Sequence, residues 1–307
     1  MSAAVERAPV SAAVAGTGSK PTQKPPQLMW MAAPSLIFVA LMVAVPLGYA
    51  IWFSLSDFRM GNAVTKFIGL SNYTRMVADP LFWNGLKITV LLYVLAIVLQ
   101  LVLGLYLGLL MNRVTVLKQL VRTILISPFL MPPVVIGMMW IVILDPSLGA
   151  ANYLLELMHL PPSDWLASTQ LVLPVVALID TWQWTPFVAL LVLGGLQTLP
   201  TNVYEAAQID GVSRGKIFLH ITLPLLGPTL VTAAILRSVD LLRFFDLIYI
   251  TTQGGPGNAS RTLNIYSYQR GIEFLDMGYA SAMMLTLTTI ILGFVFVLTN
   301  LKKAVSW

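Results

Sequence analysis

The sequence predicts an all-α integral membrane protein with six transmembrane helices. Of its 307 residues, 57% are hydrophobic and 10% are charged, whereas soluble domains carry about 25% charged residues. Six apolar stretches reach the roughly 20 residues that a helix needs to cross a bilayer. The Lys and Arg residues concentrate in alternate connecting segments, which is typical of chains that cross a membrane repeatedly.

The predicted spans account for most of the chain after residue 28. Most of them contain Pro or Gly, which membrane helices tolerate better than soluble ones. The third span contains Pro128, Pro132 and Pro133, so we expect a kinked or broken helix there. The spans are 28–55, 86–111, 121–144, 170–196, 222–247 and 277–300.

Residues 1–27 are rich in Ala, Ser, Pro, Thr and Lys and show no apolar period. This composition predicts a disordered tail. It does not predict a signal peptide, because the first apolar run starts after Pro25-Pro26 and has full spanning length.

The charge distribution predicts that both termini lie in the cytoplasm. Basic residues are enriched in cytoplasmic loops. With both ends inside, the inner segments hold ten Lys and Arg against three acids, whereas the outer segments hold six against seven. The loop 145–169 has no Lys or Arg. The net charge of +5 is therefore interpreted as topological, and no nucleic-acid partner is expected.

Composition also limits the chemistry. Without cysteine, the chain has no disulfide, no Cys-based zinc site and no thiol nucleophile. His159 and His220 are isolated from carboxylates in the sequence, so we interpret them as surface residues and expect no metal site.

A polar segment between the fourth and fifth spans is the clearest motif. Its helical part, about residues 201–220, is called the hook below. Asn202 and Glu205 have the spacing of a capping box, and Asp210-Gly211 is expected to end the first helix, because Gly adopts the left-handed conformation that a helix end favours. Ser213 is expected to cap a second helix, and Pro224 to mark the turn into the fifth span. The alanines at 206 and 207 predict a thin surface that a partner can approach closely, whereas the alternative is an ordinary cytoplasmic loop.

The run from Gly211 to Lys216 is not a phosphate-binding loop. Only three residues separate its glycines, where a P-loop has four, and Ile217 stands where a Ser or Thr would hold magnesium. The sequence therefore predicts that this chain binds no nucleotide itself.

These residues resemble the EAA signature of permease subunits of binding-protein-dependent ABC importers. Glu205, Ala206, Ala207 and Gly211 match its first part, and Ile221-x-Leu223-Pro224 matches its second part. Three further stretches resemble the carbohydrate branch, the relatives of the first permease subunit of maltose- and glycerol-3-phosphate-type systems. They are Gly69–Tyr73, Gly254–Asn258 and Gly278–Ala282. Larger members of that branch carry extra spans and a bulky periplasmic insert, which this chain lacks.

The resemblance implies a type I ABC importer permease fold over residues 28–307, in a bacterial inner membrane. It implies a heterodimer with a second homologous permease subunit, two cytoplasmic ATPases that each receive one hook, and an extracytoplasmic solute-binding protein. Glu205, Ala206, Ala207, Asp210 and Gly211 would couple this chain to an ATPase. ATP and Mg would be used by the ATPases, and this chain would bind no cofactor.

Charged residues inside spans are costly and mark candidate pathways. Asp180 lies about ten residues into the fourth span, near the middle of a ~30 Å core at ~1.5 Å per residue. Gln183 and Trp184 share its helix face, and Trp182 points away. An aromatic ring beside charged groups suits a sugar or polyol.

In the fifth span, Arg237 and Asp240 are i,i+3 neighbours that can face Asp180 across a cavity, and Arg243 follows within two turns. Asp180 is interpreted as a pathway or gating residue. For Arg237 and Asp240, a pair that only satisfies itself remains an open alternative, and Trp184 is equally compatible with packing. Gly104 and Gly108 form a GxxxG pattern that predicts close helix packing.

Three alternatives to a carbohydrate importer remain at this point. The same class of importer can carry another solute, such as glycerol phosphate or an amino acid. A secondary transporter is disfavoured because no internal repeat is visible. A membrane-embedded enzyme is disfavoured because the acids inside the spans occur singly and neither His has a partner.

Overall fold

The computed structural model describes residues 26–62, 64–114 and 117–305. Within them the chain is helical, and its only β-pairing is an isolated bridge between Ser56 and Phe67. The α-helices are α1 (Pro26–Ser54), α2 (Ser71–Ala78), α3 (Pro80–Arg113), α4 (Lys118–Leu130), α5 (Pro133–Ile143), α6 (Ala150–Leu157), α7 (Val172–Gln197), α8 (Thr201–Ile209), α9 (Arg214–Ile217), α10 (Leu223–Leu242), α11 (Asp246–Thr251), α12 (Leu263–Tyr268) and α13 (Met277–Val305).

The chain divides into a unit that ends at Gly48 and a second unit that begins at Tyr49. The described part of the first unit is the N-terminal portion of α1, whose apolar side chains from Leu36 to Leu47 are exposed. Residues 1–25 of the predicted disordered tail lie outside the described residues, and residues 26 and 27 already belong to α1.

Five helical segments among the described residues are long and apolar enough to span a membrane, and a bent pair makes a sixth crossing possible. The pair is formed by α4 and α5, which meet at an angle of 94°. This confirms the break expected from the prolines: Met131 and Pro132 have extended backbones, and Pro133 starts the next helix.

The fifth span differs from its predicted bounds in two ways. It starts earlier, because the helical path is continuous from Arg214 into α10. Residues 243–245, which the predicted span included, interrupt the helix between α10 and α11. The carbonyl of Arg243, no longer used within the helix, accepts a hydrogen bond from Asn264 Nδ2 at 2.8 Å. The tertiary contact thus supports a helix end that hydropathy did not indicate.

Close packing of α3 on α7 forms the centre of the second unit. A Cβ atom on Gly104 would lie 2.5 Å from Val188 Cγ1, and one on Gly108 would lie 2.6 Å from Val192 Cγ1. These distances are shorter than real side chains permit, so the helices approach as they do only because both positions are glycine. The predicted role of the GxxxG pattern in helix packing is confirmed.

A polar node at the start of α3 joins distant helices. Asp79 Oδ1 accepts a hydrogen bond from Leu81 N at 2.9 Å and caps α3, while Oδ2 accepts from Tyr266 OH at 2.5 Å and Tyr279 OH at 2.7 Å. Burial alone would raise the pKa of Asp79, but these three hydrogen bonds and the charge of Arg270 together hold it below its usual value. The node therefore fastens α12 and α13 to the first turn of α3.

The three stretches that resemble the carbohydrate branch lie at tight contacts of the fold. Asn72 is buried and its Nδ2 donates to the carbonyls of Ser54 at 2.9 Å and Ser56 at 3.0 Å. Gly278 N donates to Phe58 O at 2.9 Å, and Tyr279 enters the node at Asp79. Gly254–Asn258 forms turns, with Gly254 and Gly257 at positive φ.

Candidate functional site

A buried polar cluster connects three membrane helices. Asp180 of α7 accepts hydrogen bonds at Oδ2 from Gln100 Nε2 of α3 at 2.6 Å and from Arg237 Nη2 of α10 at 2.9 Å. Gln100 Oε1 accepts in turn from Arg237 Nε at 2.8 Å. The cluster is therefore a closed triangle of two charges and one amide.

The cluster is almost completely shielded: Gln100 is 0%, Asp180 1% and Arg237 1% exposed. Charges at this depth persist only when they are paired and hydrogen-bonded. Asp180 Oδ1 is the exception, because it has no hydrogen-bond partner among the described residues. Asp180 thus keeps one acceptor atom beyond those that hold the cluster together.

An aromatic ring covers the guanidinium. Arg237 Cζ lies 4.1 Å from the centroid of the Trp184 ring, a cation–π distance. Trp184 is half-buried and packs edge-on against Phe129 of α4, with ring centroids 5.3 Å apart. Trp184 therefore has a packing contact with Phe129 and a charge contact with Arg237.

One cavity of about 400 Å³ is lined by all six residues that the sequence singled out in the fourth and fifth spans. Trp182, predicted to point away, does not line it and packs instead against Trp140 at 5.7 Å between ring centroids. The lining residues are Pro133, Asp180, Gln183, Trp184, Arg237, Asp240, Arg243, Phe244, Phe245, Asp246, Leu247 and Asn264.

The charges become exposed along α10. Arg237 Nη1 lies 3.5 Å from Asp240 Oδ2, and Asp240 Oδ1 lies 4.0 Å from Arg243 Nη2. The side chain of Asp240 is 45% exposed and that of Arg243 is 59% exposed. Arg237 does not pair with Asp240 alone, because its shortest contacts reach across to α7 and α3, which adjacency in sequence could not indicate.

Gln183 links the cavity to the broken span. It is buried, and its Nε2 donates to the carbonyl of Met131 at 3.3 Å. That carbonyl lies at the break between α4 and α5, where no helical N–H is available to it. The break is thereby held against the same face of α7 that carries Asp180.

Sequence reasoning missed Gln100. The available signal was a single amide in the interior of an otherwise apolar stretch from 86 to 111. Such a residue in a span predicts a buried polar partner, in the same way that the charged residues did.

The second candidate site is the hook. Helix α8 ends in a Schellman motif: Val212 N donates to Ala207 O at 3.0 Å and Gly211 N to Gln208 O at 3.1 Å. Gly211 has a φ of +70°, the left-handed conformation that was predicted for it. The geometric prediction for Asp210-Gly211 is confirmed.

The predicted capping box is wrong. Helix α8 begins at Thr201 after extended Pro200, so Asn202 lies inside the first turn and its Oδ1 accepts only from the adjacent Val203 N. Glu205 is then four residues into the helix and cannot reach back to a cap. Ser213 does occupy the N-cap position of α9, but its side chain makes no capping hydrogen bond.

Pro224 does not mark a turn, contrary to the prediction. The chain continues from α9 into α10 through a π-helical segment, Phe218–Thr222. A proline inside a helix removes one hydrogen bond and clashes with the carbonyl four residues earlier. The wider π turn just before Pro224 accommodates this defect without ending the helix.

The exposed surface of the hook is only partly the predicted one. Glu205, Ala206, Asp210 and Gly211 are exposed, whereas Ala207 is 7% exposed and packs inside the chain. Ala206 and Ala207 differ by about 100° around the helix axis, and here that rotation turns Ala207 toward the rest of the chain. Ile209, which the sequence analysis did not single out, is 87% exposed at the end of α8.

No group of three or more metal-ligating side chains occurs in the part of the chain that the structure describes. His220 is exposed and its Nδ1 contacts Lys216 O at 3.1 Å, and His159 is exposed in the loop after α6. The run from Gly211 to Lys216 follows helix α8 and ends within α9.

Comparison with known proteins matches residues 100–306 to a family described as binding-protein-dependent transport system inner membrane component. The trehalose/maltose transport system permease protein MalF of Thermococcus litoralis is 33% identical over 267 residues, which cover 87% of this chain and 90% of the relative. The sulfoquinovosyl glycerol transport system permease protein SmoG of Agrobacterium fabrum is 33% identical over 252 residues, 82% of each chain.

A solved structure has the same fold. It is a chain of a bacterial alginate ABC transporter, crystallised in complex with an alginate pentasaccharide-bound periplasmic protein. It matches with a TM-score of 0.81 and 20% identity, over 91% of this chain and 94% of the other.

Proposed function

This chain belongs to the family of inner membrane components of binding-protein-dependent transport systems, and we propose that it is the permease subunit of an ATP-driven carbohydrate importer. In this proposal the solute passes the cavity at Asp180, Trp184 and Arg237. The hook receives an ATPase, whose cycle opens and closes the path. The chain itself catalyses no reaction.

The observation that carries the proposal is that the polar and aromatic residues of two spans line one cavity. Trp184 places an aromatic ring in the wall of the cavity, and the more exposed Asp240 and Arg243 add a carboxylate and a guanidinium that can hold hydroxyl groups. Both relatives described above are named for sugar or sugar-glycoside transport. Together these features favour a sugar, an oligosaccharide or a polyol.

The charge balance of the cavity argues against a solute such as glycerol phosphate. Three carboxylates, those of Asp180, Asp240 and Asp246, line it together with the guanidinium groups of Arg237 and Arg243. A phosphate dianion would meet more negative than positive groups. An importer for a non-sugar solute remains the second candidate.

The proposed partners follow from the hook and the family. A second homologous permease subunit completes the path, two ATPases dock on the two hooks, and an extracytoplasmic binding protein delivers the solute. Both termini and the hook lie on the cytoplasmic side of a bacterial inner membrane, as the Lys and Arg distribution favours.

Solute class is tested with the solute-binding protein that this proposal requires as a partner. Its thermal unfolding is screened against sugars, polyols, glycerol phosphate and amino acids, and the hit is then used in uptake assays with the assembled transporter. We expect stabilisation by a carbohydrate. Stabilisation only by glycerol phosphate or an amino acid would move the assignment to the second candidate.

Docking of the hook is tested by cross-linking, since the chain has no native cysteine. Ile209→Cys is expected to cross-link to the ATPase subunit in the assembled transporter. Leu148→Cys is the control, because Leu148 is 93% exposed but lies between the third and fourth predicted spans, on the side of the membrane opposite the hook. Equal cross-linking of both variants, or of neither, would contradict the proposed docking.

A further inference from the structure

Within the loop between α5 and α7, residues 145–165 are held together by internal hydrogen bonds. We call this segment the α6 platform. Asn152 of α6 is 8% exposed and connects both of its ends. Its Nδ2 donates to Pro146 O at 2.8 Å and Ser163 O at 3.0 Å, and its Oδ1 accepts from Ser163 N at 3.1 Å and Trp165 Nε1 at 2.8 Å. The side chain of Asn152 thus holds the two ends of the loop together by four hydrogen bonds.

Hydrogen-bonded turns also stabilise the chain just before and just after α6. Asp145 Oδ1 accepts from Leu148 N at 2.8 Å and Ser147 N at 2.9 Å, and these bonds hold the pKa of Asp145 below its usual value. After the helix, His159 has a φ of 58°, and Leu160 N donates to Leu155 O at 2.8 Å. The platform is therefore ordered by its own hydrogen bonds.

The polarity of α6 is inverted relative to a helix on a water-soluble protein. Polar Asn152 faces inward, whereas four apolar or aromatic residues are exposed: Tyr153 by 61%, Leu154 by 58%, Leu157 by 60% and Met158 by 69%. At about 100° per residue these four occupy one face of the helix. A surface of this kind marks contact with a membrane or a partner.

The position of the platform favours the membrane. Gly149 N donates to Asp145 O at 3.0 Å, so only a tight turn separates the end of α5 from the start of α6. The last turns of α5 expose apolar Met138 by 61% and Val142 by 71%, and Leu148 in the turn is 93% exposed. Apolar exposure therefore continues from α5, the second half of the bent pair that can form a crossing, through the turn into α6.

The composition of the exposed face points the same way. Its four residues are Tyr153, Leu154, Leu157 and Met158, and none of the three acids of residues 145–169 lies among them. Tyr is enriched at the membrane–water interface, where its amphipathic ring sits at the level of the headgroups.

We infer that the α6 platform is an interfacial anchor whose exposed face rests in the headgroup–acyl boundary of the leaflet opposite the hook. Its attachment depends on apolar burial and not on anionic lipid. The anchor holds the end of α5 at a set depth, and α5 is the half of the broken span whose first residue, Pro133, lines the cavity. The inference needs the membrane crossings but not the proposed solute or direction of transport.

The test uses single cysteines in this cysteine-free chain. Leu154→Cys and Leu157→Cys lie on the apolar face, and Glu156→Cys is the matched control on the opposite, polar side of the same helix. Each variant carries a nitroxide spin label in the transporter assembled with its partner subunits in liposomes. Power-saturation EPR then compares collisions with oxygen, which partitions into lipid, and with a water-soluble nickel chelate.

For labels at 154 and 157 we expect oxygen accessibility to exceed nickel-chelate accessibility, with the reverse at 156, equally in zwitterionic and anionic vesicles. All three positions are exposed, so labelling does not disturb the core, and the contrast between 156 and the other two positions reports that the helix is folded. Three results would overturn the inference. They are water exposure at 154 and 157, shielding from both reagents as in a protein interface, or shielding that arises only when the binding protein is added.

Discussion

Asp180 and Arg237 form an ion pair of 2.9 Å between two membrane helices, and each side chain is only 1% exposed. Gln100 bridges the same two groups from a third helix. The pair belongs both to the packing of the helices and to the wall of a cavity, so its loss should affect stability and transport together.

Removing one member of this pair should destabilise the protein strongly. Asp180→Asn leaves the buried charge of Arg237 uncompensated, which costs about 3–5 kcal/mol. The measurement is the unfolding transition of the purified transporter. Asp240→Asn is the control: the side chain is 45% exposed and lies 3.5 Å from Arg237, so its loss should cost only ~0–1 kcal/mol.

Replacing both members should separate the two roles of the pair. Asp180→Leu combined with Arg237→Met removes both buried charges, so at least part of the stability should return. Solute uptake should stay low, because the polar wall of the cavity is gone. Normal uptake by the double variant would show that the solute does not use these groups.

Gly104→Ala should destabilise the contact between α3 and α7. The new methyl group would lie 2.5 Å from Val188 Cγ1, and overpacking of this kind costs about 1–3 kcal/mol. Gly194→Ala in α7 is the matched control, because no atom lies within 4 Å of its Cβ position. Similar unfolding midpoints for the two variants would contradict the close helix approach.

Gly211→Ala should weaken the coupling of ATP hydrolysis to transport. At a φ of +70° an L-residue costs about 1–2 kcal/mol, so the Schellman motif should loosen. Gly215→Ala is the control: it lies in α9, at negative φ and with no atom within 4 Å of its Cβ position. We expect solute-stimulated ATPase activity to fall for Gly211→Ala only, and equal activities would count against the docking role.

Asp79 should make stability depend on acidic pH. Its pKa is below the ordinary value of 3.8 in the folded protein, so the carboxylate contributes stability that is present above about pH 4 and lost as pH falls further. Unfolding midpoints between neutral pH and pH 3 should therefore drop more steeply for the parent than for Asp79→Asn. Parallel curves would show that the node at α3, α12 and α13 does not depend on this charge.

The elements that the sequence predicted well are those set by local chemistry. The lengths of the apolar stretches predicted the spans. The prolines predicted the break at Pro132, and Gly211 predicted the end of α8. The periodicity of α7 also placed Asp180, Gln183 and Trp184 on the wall of one cavity.

The elements that it did not predict depend on contacts between distant residues. The pairing of Arg237 with Asp180 and Gln100 spans 57 and 137 residues, and no local rule prefers it over the neighbour at Asp240. The end of α10 depends on contacts near Asn264. The π-helical segment before Pro224 accommodates the hydrogen bond that this proline cannot make, although ending the helix there would have accommodated it equally well. In each case the tertiary structure chose between local alternatives.

The most direct test of the account is ATP-driven uptake in proteoliposomes. They contain this chain, its partner permease, the ATPases and the binding protein with its labelled carbohydrate. The account predicts that uptake requires ATP inside the liposomes and every subunit. It also predicts that uptake falls when Gly211 is replaced by Ala. Uptake by this chain alone, without ATPases or ATP, would contradict it.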